Sequence, residues 1–385
     1  MATFEFATAA RIIFGIGALA KIGEVAAGYG YHALVATDAP QERAANLYQS
    51  LQQSGLKYTT FHVPKEPTVG LVQAGVEVLR SAGCDLVIGY GGGSSVDTAK
   101  AIAALATNPG EPLDYLEVIG KGQKLQEPPL PFIAIPTTAG TGAEVTRNAV
   151  LHSEEHQVKV SLRSPLMLAK VALVDPELTL TVPPVVTAVT GMDALTQVIE
   201  PYVSHLANPL TDAICREGIQ RAARSLRRVY THPEDLQARE DMSLASLFGG
   251  LALANAKLGA VHGFAGPLGG MFAAPHGGVC AALLPHVTLT NVAALQARDP
   301  DNQAVGRYVE IARWLTGNPD ATIDDGVVWL QETLELLHIP GLGEYGITEA
   351  DFPIIIEKSK NASSMKGNPL VLTEDELASI LRAAL

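Results

Sequence analysis

Asp193 and Gln197 lie four positions apart in the segment GMDALTQVIE, which has the pattern of a helix. Four residues make about one helical turn, so the carboxylate and the amide project from one helix face. Two histidines, His262 and His276, lie in a later segment, LGAVHGFAGPLGGMFAAPHGG. Each histidine alone fits a structural role, but together the four side chains offer a carboxylate, an amide oxygen and two imidazoles to one divalent cation. The neutral amide of Gln197 is the weakest of these donors.

A glycine-rich turn in the first half of the chain indicates anion binding. The segment DLVIGYGGGSSVDTAK has the pattern of a strand, a glycine turn and a helix, in which Gly92 and Gly93 leave the backbone open to close approach. Ser94 is predicted to cap the helix, with Asp97 three positions on as in a capping box. Amides at such a helix N-terminus suit a pyrophosphate. A tight strand–helix turn is the alternative, because the segment lacks the common G-x-G-x-x-G pattern.

A second loop, PTTAGTGAEVT, follows the next predicted strand and contains Thr137, Thr138 and Thr141. In a doubly wound sheet, loops at the carboxyl ends of strands line the ligand crevice, so the two loops together predict a bound dinucleotide. Asp38 ends an earlier strand, LVATD, where a carboxylate can accept hydrogen bonds from a ribose and repel a 2′-phosphate. This position favours NAD over NADP, whereas an Asp that only opens a turn before Pro40 is the alternative.

The elements that must position these residues change character along the chain. In the first half, apolar runs such as HALVAT, DLVIGY and PFIAI alternate with helical patterns, which predicts parallel strands buried on both faces. Beyond Pro183 and Pro184 the patterns are almost only helical. We therefore predict an α/β dinucleotide-binding domain at residues 1–180 and an all-α domain for metal and substrate at residues 181–385.

Composition and charge exclude several classes of protein. The chain has 385 residues, of which 47% are hydrophobic, so it can bury a large core. Its formal net charge of −13 argues against nucleic-acid and anionic-membrane partners. Three separated cysteines without a C-x-x-C pair suit a reducing compartment. Because the N-terminal segment lacks the apolar core of a signal peptide and no uninterrupted apolar run reaches membrane-spanning length, we expect a cytoplasmic protein.

Four segments, taken together, have the pattern of one known enzyme family. They are IGYGGGSSVDTAK, PTTAGTGAEVT, ALVDPELTLTVPPVVTAVTGMDALTQVIE and VHGFAGPLGGMFAAPHG. In this order they resemble the phosphate loop, the second nucleotide loop, the metal-region signature and the last-ligand segment of the iron-dependent, or group III, alcohol dehydrogenases. The resemblance covers nearly the whole chain. It implies a dehydroquinate synthase-like fold, with an N-terminal α/β nucleotide domain, a C-terminal helical domain and an active site in the cleft between them.

The resemblance also implies roles for particular residues. The positions at which the family contacts NAD are Asp38, Gly92, Gly93, Ser94, Thr137, Thr138, Thr141 and Lys159. Asp193, His262 and His276 match three of the four metal ligands of the family, and they are the implied catalytic residues. The remaining ligand is typically a histidine, whereas this chain has Gln197. A further histidine often follows the third ligand by four residues, whereas this chain has Gly266.

The expected function is NAD(H)-dependent hydride transfer between nicotinamide and a small alcohol, aldehyde or ketone. Fe²⁺ or Zn²⁺, held by the three matching ligands and Gln197, would polarise the substrate, and the amide is expected to weaken metal binding. The resemblance further implies a homodimer or a higher homo-oligomer. Two alternatives stay open: a metal-independent reductase resembling maleylacetate reductases, in which His262 and His276 donate hydrogen bonds to a carbonyl, and a nucleotide-binding protein without catalysis.

Overall fold

The structure is a computed structural model that describes residues 3–64, 66–156 and 158–385. It divides into two units. The α/β unit comprises Ala7–Thr138 and Gly142–Thr181, and the helical unit comprises Val182–Leu385, Ala139–Thr141 and a short N-terminal segment. The predicted fold class, a parallel α/β region followed by a helical region, is confirmed.

Parallel strands form the central sheet of the α/β unit, as the continuous apolar runs predict. In chain order the strands are β1 (Ile12–Phe14), β2 (His32–Thr37), β3 (Lys57–His62), β4 (Leu86–Gly91), β5 (Phe132–Pro136), β6 (Asn148–Ser153), β7 (Val158–Arg163) and β8 (Val171–Val174). Six of them pair in the order β1-β8-β5-β4-β2-β3, while β6 and β7 form a separate antiparallel pair. The helices of this unit are α1 (Ile22–Ala27), α2 (Ala45–Gln53), α3 (Val69–Ala82), α4 (Gly93–Thr107) and α5 (Pro112–Tyr115).

The direction of winding reverses between β2 and β4. Strand β2 pairs with β3 on one side and with β4 on the other. Such a reversal opens a crevice at the carboxyl ends of the two strands, where ligands of doubly wound sheets bind. Asp38 directly follows β2, and the turn of Gly92 directly follows β4. The sheet order therefore brings the two predicted nucleotide-contact positions to one crevice.

The glycine turn differs from the predicted capping box. Helix α4 begins at Gly93 after an N-cap at Gly92, and no side chain caps it. The capping prediction for Ser94 and Asp97 is wrong, because the helix begins too early for Ser94 to be its N-cap. The Asp97 carboxylate accepts a hydrogen bond from the backbone N–H of Val150 instead. The bare N-terminus of α4 leaves its first amides to another acceptor.

Lys100, on α4, forms hydrogen bonds to the end of the second glycine-containing loop. Its side chain is almost fully buried, and its Nζ donates to the backbone oxygens of Ala143 (2.8 Å) and Asn148 (2.7 Å). It also donates to Thr146 Oγ1 at 2.9 Å and lies 3.4 Å from Asp97 Oδ1. Burial lowers the pKa of this ammonium, although the Asp97 carboxylate opposes the shift. One buried cation thus holds the chain that follows the loop against the helix.

Glu144 makes the stability of the α/β unit depend on pH. Burial raises the pKa of this carboxyl from 4.5 to about 7, and the nearby charge of Lys100 reduces the shift. The protonated form is favoured in the folded state, so its stabilising contribution is complete below pH 4.5 and is lost as the pH rises through about 7. We expect the Tm of the wild type to fall relative to that of Glu144→Gln between about pH 5 and about pH 8.

Thermal unfolding at fixed ionic strength checks this expectation, with the exposed Glu42→Gln variant as the control. The control should follow the wild type at every pH. A Tm difference between wild type and Glu144→Gln that stays constant over the whole range would contradict the assignment.

The helical unit is built around α6, whose second half is buried on all sides. Its helices are α6 (Pro184–Val203), α7 (Pro209–Thr231), α8 (Leu236–Ala256), α9 (Ala260–Met271), α10 (His276–Arg298), α11 (Gln303–Thr316), α12 (Ile323–Leu336), α13 (Phe352–Asn361) and α14 (Glu374–Ala383). Helix α6 begins with Pro184 at its first position, where the missing N–H costs no hydrogen bond. It packs against α7, α8 and α10.

Helix α10 is long and apolar enough to span a bilayer, but 78% of its apolar window is buried inside the protein. A core helix of a large helical unit has the same property. Helices α8 and α9 meet the same combination of length and apolar composition only when taken together, and they are bent by 99° at the break between them.

Candidate metal centre and nucleotide site

Helix α6 presents three polar side chains on one buried face. Asp193, Gln197 and Glu200 follow one another at spacings of four and three residues, which places them along one stripe of the helix. Asp193 and Gln197 are each only 2% exposed. Burial alone would raise the pKa of Asp193, but a hydrogen bond from His262 and the charge of His276 lower it below its usual value. The carboxylate is therefore ionised and surrounded by donors.

His262 is oriented by a second carboxylate. Its Nδ1 lies 2.7 Å from Glu200 Oε2, and its Nε2 lies 3.1 Å from Asp193 Oδ1. The other oxygen of Glu200 accepts from the backbone N–H of Val261 at 2.7 Å, in the first turn of α9. Because Glu200 accepts from Nδ1, the Nε2 atom is the one directed at Asp193. A histidine held by a carboxylate in this way is the usual arrangement of a metal ligand.

His276 begins α10 and faces the same carboxylate. Its Nε2 lies 3.9 Å from Asp193 Oδ1, and its side chain is 39% exposed. Gly277 permits this approach, because a Cβ there would lie 2.1 Å from the carbonyl oxygen of Val189. The first turn of α10 therefore rests directly on the backbone of α6.

Cys280 joins the same group one turn after His276. Its fully buried Sγ lies 3.7 Å from His262 Nε2 and 3.8 Å from His276 Nε2. Burial would raise the pKa of this thiol, yet the charges of the two histidines lower it. The pKa values of both histidines are raised in turn, since the Cys280 and Asp193 charges outweigh their burial. The thiol, the two imidazoles and the Asp193 carboxylate are therefore electrostatically coupled.

The donor set fits a divalent cation. One ligand atom each from Asp193, His262, His276 and Cys280 lies within 4.8 Å of the other three. Carboxylate, imidazole and thiolate donors at that spacing are the ligands that zinc and other borderline divalent metals accept. The residues of the helical unit can therefore hold a metal.

Gln197 lies beside this group with its amide nitrogen engaged. Nε2 donates to the carbonyl oxygen of Gly140 at 3.0 Å, and a hydrogen bond from Gln197 helps to lower the pKa of Asp193. The amide oxygen Oε1 is buried and has no hydrogen-bond partner among the described residues. Turning the amide over would place that oxygen against the Gly140 carbonyl.

The α/β unit holds most of the predicted nucleotide contacts. The exposed Asp38 accepts a hydrogen bond from Ser95 Oγ at 3.0 Å, and a Cβ at Gly91 would lie 2.2 Å from the Asp38 carboxylate. Gly91 also has φ +152°, so a side chain there would be strained as well as crowded. The backbone N–H of Thr137 donates to Gly91 at 2.9 Å, which ties the second loop to the end of β4.

Three further predicted contacts have different surroundings. Thr138 lies 3.6 Å from the position of a Cβ at Gly92, so the two loops approach closely in the α/β unit. Thr141 groups with the helical unit. Lys159 lies on β7 and forms an ion pair with Glu66 at 2.7 Å, so its ammonium already has an anionic partner.

Two polar residues of the centre escaped the sequence prediction. Glu200 lies seven positions after Asp193 and ends the segment GMDALTQVIE, so it falls on the same helix face. Cys280 lies four positions after His276, which is also one turn. Both spacings were available in the sequence as signals. The packing of α6, α9 and α10 is needed to show that Glu200 and Cys280 both contact the imidazole of His262.

We expect Glu200→Gln to weaken metal binding by roughly 10- to 100-fold. The neutral amide accepts with one atom only, so either His262 Nδ1 or the Val261 N–H loses its acceptor. Zinc and cobalt affinities measured by competition with a chelator check this result. The control is Glu217→Gln on α7, whose carboxylate contacts Arg221. Equal affinities for Glu200→Gln and the wild type would contradict the orienting role.

The fold and the two sites define a class of protein: a doubly wound nucleotide-type unit with a helical unit that carries a candidate divalent-metal centre. Family models agree with this class. Residues 9–176 match the model of iron-containing alcohol dehydrogenases, and residues 187–385 match the C-terminal model of the Fe-containing alcohol dehydrogenase family. The chain belongs to the iron-containing alcohol dehydrogenase family and is an oxidoreductase.

Individual relatives span the whole chain. Alcohol dehydrogenase 4 of Schizosaccharomyces pombe is 37% identical over 380 residues, which cover 97% of this chain and 87% of that protein. The NAD-dependent methanol dehydrogenase of Bacillus methanolicus is 33% identical, with 97% of each chain covered. Among solved structures, a 1,3-propanediol oxidoreductase superposes with a TM-score of 0.91 at 34% identity, and each chain is covered completely.

Proposed function

We propose that this alcohol dehydrogenase uses NAD(H) and a divalent metal to interconvert a small alcohol and its aldehyde or ketone. The observation that carries the proposal is the convergence of Asp193, His262, His276 and Cys280 within 4.8 Å, beside a carboxylate that orients one imidazole. The NAD-dependent methanol dehydrogenase and the 1,3-propanediol oxidoreductase support the same reaction by their similarity to this chain.

The nucleotide contacts that we propose combine the two loops with the end of β2. Asp38, next to the switch between β2 and β4, would accept from the adenosine ribose and repel a 2′-phosphate. The uncapped N-terminus of α4 would donate its amides to the pyrophosphate. The remaining proposed contacts are Gly92, Gly93, Ser94, Thr137, Thr138, Thr141 and Lys159. Lys159 would have to exchange Glu66 for the nucleotide.

Asp193, His262 and His276 are the residues that we propose to hold the metal and to act in catalysis. A divalent cation held there would supply Lewis-acid polarisation of the substrate oxygen, which favours hydride transfer to or from nicotinamide. Asp193 contributes negative charge from a fully desolvated position, which strengthens its attraction for a cation. Glu200 fixes the ring of His262, and the partly exposed His276 is the ligand nearest to solvent.

We propose that the substrate is a small alcohol or carbonyl compound, and that the substrate pocket has room for an extended or apolar substituent on it. A Cβ at Gly266 would meet no atom within 4 Å, so this position, one turn after His262, opens onto free space. The absence of a side chain there leaves volume that a polar residue would otherwise fill. Steady-state assays over a series of primary alcohols of increasing length measure this tolerance.

We also propose that the enzyme is cytoplasmic and forms a homodimer or a larger homo-oligomer. Cys84, Cys215 and Cys280 are all buried free thiols, which suits a reducing compartment. Fractionation of the producing cells tests the first proposal, and analytical ultracentrifugation of the purified protein tests the second.

Metal removal tests the proposed function. Protein purified without chelator is analysed for its elements, then stripped and supplied separately with iron, zinc, manganese or nickel in NAD-linked alcohol assays. We expect activity to disappear on stripping and to return with metal. Full activity in verified metal-free protein would favour instead a reductase in which His262 and His276 donate hydrogen bonds to the carbonyl. The absence of turnover with a panel of short aldehydes, whichever metal is supplied, would contradict both the metal-dependent dehydrogenase and the metal-independent reductase.

Gln197→His should raise metal affinity by at least tenfold, or about 1.4 kcal/mol. An imidazole at position 197, one turn from Asp193, would offer a nitrogen donor of the kind that borderline metals accept. Isothermal titration with Zn²⁺ and Fe²⁺ measures the change, and the isosteric Gln197→Glu variant separates added charge from the added imidazole. An affinity that does not change in Gln197→His would mean that position 197 does not reach the metal.

A further inference from the structure

Cys280 has a position in the metal centre that the sequence pattern did not assign. It is fully buried, lies on α10 one turn after His276, and is directed at both imidazole nitrogens. Its Sγ also belongs to the group of ligand atoms that all lie within 4.8 Å of one another. A cysteine buried only for packing needs no such neighbours. Cys215, in the same unit, is equally buried but is not part of this group of ligand atoms.

The spacing of the donor atoms is compact enough for one four-coordinate centre that includes this sulfur. Metal–nitrogen and metal–oxygen bonds of about 2.0 Å and a metal–sulfur bond of about 2.3 Å separate neighbouring donors by roughly 3.3–3.6 Å. The sulfur lies 3.7 and 3.8 Å from the two Nε2 atoms, and Asp193 Oδ1 lies 3.1 and 3.9 Å from the same atoms. The two sulfur edges and the His262–Asp193 edge lie within about 0.3 Å of the expected lengths, and the His276–Asp193 edge would have to shorten by about 0.6 Å.

Gln197 is less well placed than Cys280 to be the fourth donor. Its Nε2 donates to the carbonyl oxygen of Gly140 at 3.0 Å. Presenting the amide oxygen in place of that nitrogen would break this contact. A thiolate is also a stronger ligand than a neutral amide oxygen for borderline metals.

We propose that Cys280 is the fourth protein ligand, so that the centre is an Asp–His–His–Cys site that selects zinc over ferrous iron. This inference rests on the proposed function, because it requires a metal at Asp193, His262 and His276. Gln197 then acts as a positioning residue that donates to Asp193. The preference follows from the softness of sulfur, which favours zinc more than it favours Fe²⁺.

Cobalt substitution tests the inference through a signal that does not depend on activity. Metal-stripped full-length protein is titrated with Co²⁺, and the absorption spectrum is recorded from the near ultraviolet to the visible. Sulfur bound to Co²⁺ gives an intense charge-transfer band in the near ultraviolet, whereas nitrogen and oxygen ligands give only the weaker visible bands. We expect the intense band in the wild type and its loss in Cys280→Ser. The Zn²⁺ affinity of that variant should fall by more than the roughly 10- to 100-fold that the loss of an outer-shell partner costs.

Two further sets of variants keep the test decisive. Cys84→Ala and Cys215→Ala remove the other buried thiols and should keep the band, so the wild-type signal is assigned even if Cys280→Ser fails to fold. Cys280→Asp replaces the sulfur by an oxygen ligand and should recover Zn²⁺ binding without the band. Competition between Zn²⁺ and Fe²⁺ should favour zinc at least tenfold less in Cys280→Asp than in the wild type.

The outcomes separate this inference from the proposed function. One bound Co²⁺ per chain without the intense band in the wild type would overturn the role of Cys280 and leave the metal centre intact. A band that persists in Cys280→Ser and disappears in another cysteine variant would overturn it equally. No bound cobalt at all would overturn the metal centre, and the inference with it.

Discussion

We expect Asp193→Ala to abolish metal binding and to lower kcat/KM by at least about three orders of magnitude, or about 4 kcal/mol of transition-state stabilisation. The Asp193 carboxylate faces both His262 and His276, and it is desolvated on α6. Its loss leaves the imidazoles without the negative charge that concentrates a cation between them. Elemental analysis and NAD-linked steady-state assays of the same preparation measure the two effects together.

Asp193→Asn keeps the shape of the side chain and removes its charge, so it should show nearly the full loss. Asp324→Ala, at an exposed position in the first turn of α12, is the matched control and should retain both metal and activity. Retention of stoichiometric metal in Asp193→Ala would contradict the proposed ligand set, even if activity were lost for another reason.

We expect Lys100→Met to lower the free energy of unfolding by about 3–5 kcal/mol, the range for a buried charge that loses its partner. The substitution removes a charged donor to the carbonyl oxygens of Ala143 and Asn148 and leaves Asp97 without its cation. Urea unfolding followed by circular dichroism measures the loss. The control is Lys121→Met, an exposed lysine whose ion pair with Asp114 is open to solvent, and its unfolding curve should match that of the wild type.

A loss below about 1 kcal/mol in Lys100→Met would mean that water replaces the ammonium, and would remove the argument that it anchors the loop. Lys100→Arg should not restore stability, because the larger planar guanidinium cannot reproduce three convergent bonds from one nitrogen in a closed site.

Local patterns were enough to predict the fold class. Continuous apolar runs in β2, β4 and β5 indicated a buried parallel sheet, and strands with these burial patterns form it. The order of the strands was not accessible in this way, since it depends on which crossover covers which face. The cap of α4 was mispredicted because the spacing of Ser94 and Asp97 does not show where the helix begins. Gly92 is the N-cap and the helix begins at Gly93, so Ser94 already lies inside the first turn.

The candidate metal centre shows the same division between local and tertiary information. Asp193, His262 and His276 could be selected as metal-binding types from their settings, and the structure brings their side chains together. Glu200 on α6 and Cys280 on α10 both contact His262, which lies on α9. Their roles therefore depend on how these helices pack, which the sequence of a single helix does not reveal. The orientation of Gln197 depends on the carbonyl of Gly140, which lies 57 positions away in the chain.

Gly277 has a consequence for how such a centre can diversify. Because α10 rests on α6 through backbone atoms at Val189, the separation of the two helices does not depend on the donors that either one carries. Replacement of one donor side chain should therefore leave the backbone positions of the other donor residues unchanged. Substitution of a donor should therefore change the affinity and preference for the metal while the spacing of α6 and α10 is kept.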